Sequence, residues 1–198
     1  MIAEIPARAA VVLLAAGESR RFGTDKRLHR LQGTPMVLRT VELYAETFSK
    51  LFVIVKEDDE AIARLVEPLD PTIVIAHDAA QGMGRSLAAG IAAAAGHPFV
   101  FIALADMPFA QAATLRELLE LAAPGCIVRP LYKGTPGHPV GFADEYFDAL
   151  KQLAGDQGAR EVIRRHSQSL VQLWTDDAGV VRDVDRPTWA TRPSALIT

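Results

Sequence analysis

One cysteine among 198 residues excludes an intrachain disulfide, and Cys126, set in the apolar stretch Gly125-Cys126-Ile127-Val128, reads as a buried structural thiol. No apolar run approaches the roughly 20 residues of a membrane-spanning helix. The longest, Ala9–Ala16, lacks the cleavage context of a signal peptide and leads directly into a polar loop, so cytoplasm is the expected compartment. Positive charge is not in excess. Lys and Arg number 21 against 24 Asp and Glu, a net charge of −3, which argues against a general nucleic-acid binder. Repeats, low-complexity tracts and Ser-His-Asp or Cys-His catalytic sets are also missing. What remains is the composition of an ordinary globular protein, 49% hydrophobic and 23% charged, with a length that suits one domain spanning residues 1–198.

The most informative stretch is Val11-Val12-Leu13-Leu14-Ala15-Ala16-Gly17-Glu18-Ser19-Arg20-Arg21-Phe22-Gly23-Thr24-Asp25-Lys26. A wholly apolar run ending at a glycine turn reads as a buried strand of a parallel sheet. Ligands of such sheets sit beyond the carboxyl ends of the strands. Glycines there let backbone N–H groups approach an anion, and Arg21 and Lys26 neutralise it, so a polyphosphate ligand is predicted. Spacing excludes two common phosphate loops. Five residues separate Gly17 from Gly23, and Lys26 follows after two more, which is not a Walker loop; only two glycines are present, one short of the dinucleotide fingerprint.

Apolar runs alternate with helical patterns through the first two thirds of the chain. Strands are predicted at Ala10–Ala15, Leu51–Val55, Ile73–Ala76 and Phe99–Leu104. Helices are predicted at Pro35–Phe48, with Thr34 as N-cap and Pro35 in the first turn, and at Asp58–Val66, Leu87–Ala95 and Gln111–Ala122. This alternation implies a mostly parallel sheet with helices on both faces, a Rossmann-like three-layer α/β domain. After Cys126 a glycine- and proline-rich connection leads to two short helices and to strands around Leu170–Leu173 and Val180–Val184; residues 191–198 read as a loose tail.

Gly17-x-Ser19-x-Arg21-x-Gly23-x-x-Lys26, preceded by Leu-Ala-Ala, resembles the signature loop of nucleotidyltransferases with the nucleotide-diphospho-sugar transferase fold, and more narrowly that of the molybdenum cofactor cytidylyltransferases. Four further elements follow in the same order. Asp106-Met107-Pro108 closes the strand Phe99–Leu104 and matches the family's Asp-Met-Pro. Its aspartate faces the same crevice as the glycine loop; an N-cap role is the alternative. Gln81-Gly82-Met83-Gly84-Arg85-Ser86-Leu87 resembles Gly-Met-x-x-Ser-Leu, whose glycines lie against a base; a glycine-rich helix cap is the alternative. The asparagine and aromatic that precede it in many relatives are absent from Ala76–Ala80. Gly137-His138-Pro139 matches a Gly-His-Pro element that holds an imidazole in a rigid turn. Gly155-Asp156-Gln157-Gly158-Ala159-Arg160 matches Gly-Asp-x-Gly-Ala-Arg, where Asp156 could equally cap a helix and Arg160 and Arg164 could equally be solvated. Near the end, Asp183-Val184-Asp185-Arg186-Pro187 resembles Asp-Ile-Asp-Thr-Pro, with Thr188 and Trp189 replacing two acids; two solvated carboxylates are the alternative.

The resemblance implies CTP-dependent transfer of CMP to the phosphate of molybdenum-bound molybdopterin, with Mg²⁺ as cofactor and a molybdenum hydroxylase as the client of the product. It implies a nucleotide-binding half over about residues 1–125, an acceptor half over about 126–190 and an antiparallel strand within the latter. Leu14, Ala15, Ala16, Gly17, Ser19, Arg21, Lys26, Gly82 and Ser86 then hold the nucleotide. Lys26, Arg21 and Asp106 are catalytic, Asp106 and Asp185 bind the metal, Asp183 supports it indirectly, and His138 and Arg160 meet the acceptor. Competing readings are guanylyl transfer to the same cofactor, cytidylyl or uridylyl transfer to a sugar or polyol phosphate, and a non-catalytic cofactor carrier. Guanylyltransferases of the family usually read Leu-Ala-Gly-Gly where this chain has Leu14-Ala15-Ala16-Gly17, and the methyl of Ala16 would crowd a purine.

Overall fold

The apolar run at the start of the chain forms β1 (Ala10–Leu14), every residue of it buried, in a computed structural model that describes residues 8–17, 24–155 and 158–185. Ser19, Arg21, Asp156 and the expected tail lie outside the described residues. A small hairpin follows, β2 (Arg30–Leu31) and β3 (Thr34–Pro35). Then come α1 (Met36–Thr47), β4 (Leu51–Val55), α2 (Glu60–Val66), β5 (Thr72–Ile75), α3 (Met83–Ala93), β6 (Phe99–Leu104) and α4 (Ala112–Glu120). The remainder comprises β7 (Ile127–Tyr132), β8 (Thr135–Pro136), β9 (Val140–Ala143), α5 (Phe147–Lys151), α6 (Arg160–Arg165) and β10 (Leu170–Trp174).

The main sheet runs β10-β7-β9-β6-β1-β4-β5, with β8 attached to β7. Pairing is parallel from β6 through β1 and β4 to β5, and again between β7 and β10. The expected antiparallel strand is β9, inserted between β6 and β7. Phe48, just after α1, packs on Phe101 of β6, ring centroids 5.3 Å apart. On the other face α3 comes down at Gly90 directly onto Val12, a spacing that leaves no room for a side chain at Gly90. Helices therefore cover both faces of one α/β domain. The chain leaves β1 toward β4 and β5 on one side and returns to β6 on the other, so the strand order reverses beside β1. That reversal opens a crevice at the carboxyl edge. Backbone bonds from Ala15 N–H to Ile54 O (2.9 Å) and from Ala105 N–H to Leu14 O (3.1 Å) keep the three strand ends together.

Three expectations are corrected. Thr34 does not cap α1: it pairs with Leu31 in the hairpin, and Pro35 takes the cap position. Val180–Val184 is not a strand but a 3₁₀ turn at Ala178–Val181 with an extended continuation. The turn forms because the Asp177 carboxylate accepts N–H bonds from Gly179 and from Gln111, both at 2.8 Å, and because Gly179 lies flat against the Phe109 backbone. Cys126 is partly exposed rather than buried.

Two tertiary devices position the crevice. The first is Arg27, 4% exposed, which turns inward from the loop that follows the glycines. Its guanidinium donates to the Ala15 carbonyl at the end of β1, to both oxygens of Asp25, and to both oxygens of Asp59 just before α2. Asp59 is itself buried and also accepts the Lys56 N–H at 2.8 Å, which is why it does not cap α2. Burial works to raise the Asp25 pKa, but hydrogen bonds and charge from Arg27 outweigh it and hold the carboxyl below its ordinary range. The second device is the segment 177–185, a strap across the crevice. Val180 O accepts the His138 N–H (2.8 Å), and Val184 N–H donates to Asp106 O (2.9 Å).

Arg27→Met is expected to destabilise the fold by about 3–5 kcal/mol, because it leaves Asp59 buried without its counter-charge. Urea unfolding measures this, and adding Asp59→Leu should recover part of the loss; a single variant as stable as the wild type would refute the bridge. Asp25 has a lowered pKa in the folded state, so its stabilisation is complete above the ordinary carboxylate value and fades as pH falls through the folded one. The stability of Asp25→Asn should accordingly fall less steeply than that of the wild type below about pH 4.

Candidate active site

Beyond the carboxyl ends of β1, β5 and β6 lies a cavity of about 460 Å³. The end of β1 contributes Leu14, Ala15, Ala16 and Gly17, all on its lining. The loop between β5 and α3 contributes Gly82, the first turns of α3 contribute Ser86, and the segment just past β6 contributes Asp106. Lys26 closes the rim. These eight are the described members of the nucleotide and catalytic sets expected from sequence.

Residues not anticipated from sequence also line the cavity, among them Arg27, Gln81, Met83 and Gly155. Gly155 is the least expected, since its motif was read as acceptor-side. Gly82 has φ of 114° and lies so close to the Gly155 backbone that no side chain fits between them. Gly155 O then accepts the Gly84 N–H at 2.8 Å. The first turn of α3, where peptide N–H groups point outward with a positive dipole end, is fixed at the cavity by that contact.

Charges concentrate where Asp106 meets Lys26. The Lys26 Nζ lies 2.6 Å from an Asp106 oxygen and 3.5 Å from an Asp185 oxygen, so both carboxylates converge on one cationic point. Asp183 belongs to the same cluster: burial first, then repulsion from Asp185 and Asp106, push its pKa up. Carboxylate oxygens focused on a cation are the donor set that Mg²⁺ takes, with phosphate and water filling its other positions. Among the described residues, no three His, Cys, Asp or Glu side chains gather as a ready-made metal cage. Thr40 supports the cluster from α1, its buried hydroxyl lying 3.0 Å from the Ala105 carbonyl.

His138 and Arg160 do not line this cavity; they stand beside it. The Gly137 N–H donates to Pro130 O (2.9 Å) and the His138 N–H to Val180 O, which fixes the turn. Burial lowers the His138 pKa, and Arg160 acts in the same direction while the Ile102 backbone and Asp106 oppose it. The imidazole is therefore neutral at pH 7, with a buried Nδ1 that has no hydrogen-bond partner among the described residues. His138 thus feels the charges of both Asp106 and Arg160. Arg160 opens α6, with Ala159 in the cap position. Arg164 behaves as a solvated helix residue, paired at 2.7 Å with Glu161. Hydrogen bonds from Arg164 and Arg165 hold Glu161 down at about 2.

No described helix is long and apolar enough to cross a membrane. Among characterised proteins the chain is 27% identical to the Bacillus subtilis purine catabolism protein PucB over 189 residues, covering 89% of this chain and 91% of that one. It is 28% identical to the nicotine blue oxidoreductase of Paenarthrobacter nicotinovorans (88% and 90% covered) and 27% identical to the Escherichia coli molybdenum cofactor cytidylyltransferase (89% and 90%). A shorter match, 35% over 114 residues (57% and 55%), is to a probable molybdenum cofactor guanylyltransferase of Opitutus terrae. In three dimensions it superposes on a Mycobacterium sp. strain JC1 homolog of a Mycobacterium tuberculosis protein with a TM-score of 0.80, at 28% identity and 91% coverage of each chain. The family described as the MobA-like NTP transferase domain matches residues 11–170. With its crevice, its glycine-lined cavity and its collinear match, this chain belongs to the MobA-like NTP transferase domain family.

Proposed function

We propose that the protein transfers CMP from CTP to the phosphate of a molybdopterin-type acceptor, releasing pyrophosphate. The observation that carries this reading is the placement of Lys26 and Asp106 on the lining of a cavity shared with Ala15, Ala16, Gly82 and Ser86, with Asp185 3.5 Å from the Lys26 Nζ. Small residues make a flat slot for a base, and the charged rim suits a triphosphate. Full-length similarity to a molybdenum cofactor cytidylyltransferase supports the acceptor class.

An acceptor phosphate monoester is already anionic at neutral pH, so its oxygen attacks the α-phosphorus without a general base. The bond to the β-phosphate breaks as the new one forms. The obstacle is repulsion between two polyanions. In this reading Lys26 and Arg21 hold the triphosphate and stabilise charge growing on the leaving pyrophosphate. The backbone from Gly17 to Ser19 wraps the phosphates, and His138 and Arg160 orient the acceptor from the C-terminal half, about residues 126–190. Asp106 and Asp185 would hold Mg²⁺, which supplies charge neutralisation at the α-phosphate. A molybdenum hydroxylase would be the client of the product, and the cytoplasm the place of action.

CTP is expected to be preferred over GTP by up to a few kcal/mol, because the Ala16 methyl narrows the base pocket beside Gly82. Turnover with each nucleotide at matched subsaturating concentration measures this, and Ala16→Gly should raise GTP use relative to CTP. Equal wild-type rates would favour the guanylyl reading to which the Opitutus terrae match points.

Lys26→Ala and Arg21→Ala should each slow turnover on the order of a hundredfold while leaving the melting temperature nearly unchanged. Asp106→Ala should abolish Mg²⁺-dependent turnover. Asp185→Ala should match it if Asp185 binds the ion directly, and weaken turnover only modestly if a water intervenes. Pyrophosphate release against Mg²⁺ concentration, with circular dichroism as a fold check, reads all four. Normal folding and unchanged Mg²⁺ dependence in Asp106→Ala would remove the metal site and most of the mechanism.

A further inference from the structure

Strand β7 reads Ile127-Val128-Arg129-Pro130-Leu131-Tyr132, and its one charged residue sits in the interior of the sheet rather than at a strand end. The pairings Ile127 with Phe142 and Val128 with Gly141 carry Arg129 to the place opposite Val140. Val140 is opposite Ile102 of β6, and Gln172 of β10 is opposite Arg129. Directly paired residues point to the same face of a sheet. Ile102, Val140, Arg129 and Gln172 therefore form one row, on the face that α3 covers further along, since Ile102 is also opposite Val12. One step nearer the crevice the next row holds Leu131 and, opposite it, Trp174.

The outer part of this face is open. Trp174 is 70% exposed and Gln172 is exposed, both on the edge strand of the sheet. Beside them, Arg129 is only partly exposed, and its Nε is buried without a hydrogen-bond partner among the described residues. A buried guanidinium nitrogen left unbonded is costly, and such groups in native proteins are as a rule bonded. The same holds for the buried Nδ1 of His138, two residues before Val140 and so at the crevice end of the row. Two unsatisfied nitrogens thus flank the route from Asp106 to Trp174. Trp174 does not belong to a broad apolar patch of the kind that docks a protein, since polar Gln172 and Thr175 adjoin it.

We propose that Arg129, Gln172 and Trp174 form the far wall of the acceptor site and select a planar heteroaromatic ring with a hydrogen-bonding edge, carried on a phosphate ester. This rests on the acceptor reading given under Proposed function and adds the residues that recognise the acceptor's ring. Arg129 donates N–H bonds in a plane to ring oxygen or nitrogen, the Gln172 amide supplies the complementary donor and acceptor, and the Trp174 indole stacks on the ring. Spacing sets the acceptor's length. β7 lies two strands from β6 and β10 three, roughly 10 and 14 Å from the strand that ends at Asp106. A phosphate at Lys26 joined to fused rings spans that distance, whereas a short polyol phosphate stops before Arg129.

The test uses the full chain, with 6-hydroxymethylpterin monophosphate as probe, titrated by calorimetry. Arg129→Gln should raise the probe's Kd about tenfold or more, and Trp174→Ala about fivefold. The affinity for CTP with Mg²⁺ should stay within about twofold of wild type in both variants. In turnover the acceptor KM should rise while the CTP KM holds. If Arg129→Gln fails to fold, Trp174→Ala, a change at an exposed position, carries the test alone. Variants that bind the probe as tightly as wild type overturn this wall and leave the transferase reading standing, including the case in which only the melting temperature falls. Wild-type protein that ignores the probe while still binding CTP overturns the wall together with the acceptor reading.

Discussion

Everything at the crevice edge depends on one buried guanidinium. Arg27 gathers the end of β1, the loop returning from the glycines and the approach to α2 onto a single planar group. Only an arginine suits that position: five donors in a fixed fork meet two carboxylates and a carbonyl, where a lysine would offer three donors from one point. Taking such a charge out of water is costly, and the surrounding acceptors offset that cost only in one geometry. That geometry holds the Ala15 carbonyl and the Asp25 carboxylate in place. A site that must bind a polyanion in one orientation gains from being assembled beforehand.

Above this fixed floor the charges alternate. Lys26 lies between Asp106 and Asp185, and burial together with the charges of those two acids raises the Asp183 pKa. Such an arrangement suits the passage of both signs of charge. The lysine screens the acids from each other, and the acids keep the rim from becoming a purely cationic trap for anions. His138 stays neutral next to this cluster because burial wins over the attraction of Asp106. It thus stands there as a hydrogen-bonding group rather than as a charge.

How much of this could be read in the residues depends on how local the cause is. Leu51–Val55 and Phe99–Leu104 match the observed strands end to end, because a strand buried on both faces is an unbroken apolar run with polar or turn residues at its limits. The positions of Gly17 and Asp106 at strand ends were legible for the same reason: each directly follows such a run. Val180–Val184 looked equally strand-like, yet Asp177 and Gly179 bend it through contacts with Phe109 and Gln111, far off in sequence. The hairpin that claims Thr34 is only two residues per strand, too short to show a period. Arg27 could not be told from the other basic residues of its loop, because what turns it inward is Asp59, 32 positions on. Gly155 and Arg129 carry no local mark of their role either; one is recognised by the backbone opposite it, the other by the strands beside it.

The contact between Gly82 and Gly155 has a consequence for how far the two halves of the chain can be regarded as modules. The loop that leads into α3 belongs to the first part of the sequence, but its backbone rests on Gly155, far along the chain, and donates a hydrogen bond to it. Cutting the chain after residue 125 would therefore remove Gly155 from the lining of the cavity. A chimera that exchanged the second half for a relative's would inherit a cavity shaped by both parents. In this architecture the cavity is an interface within one chain, and its shape can drift when either half changes.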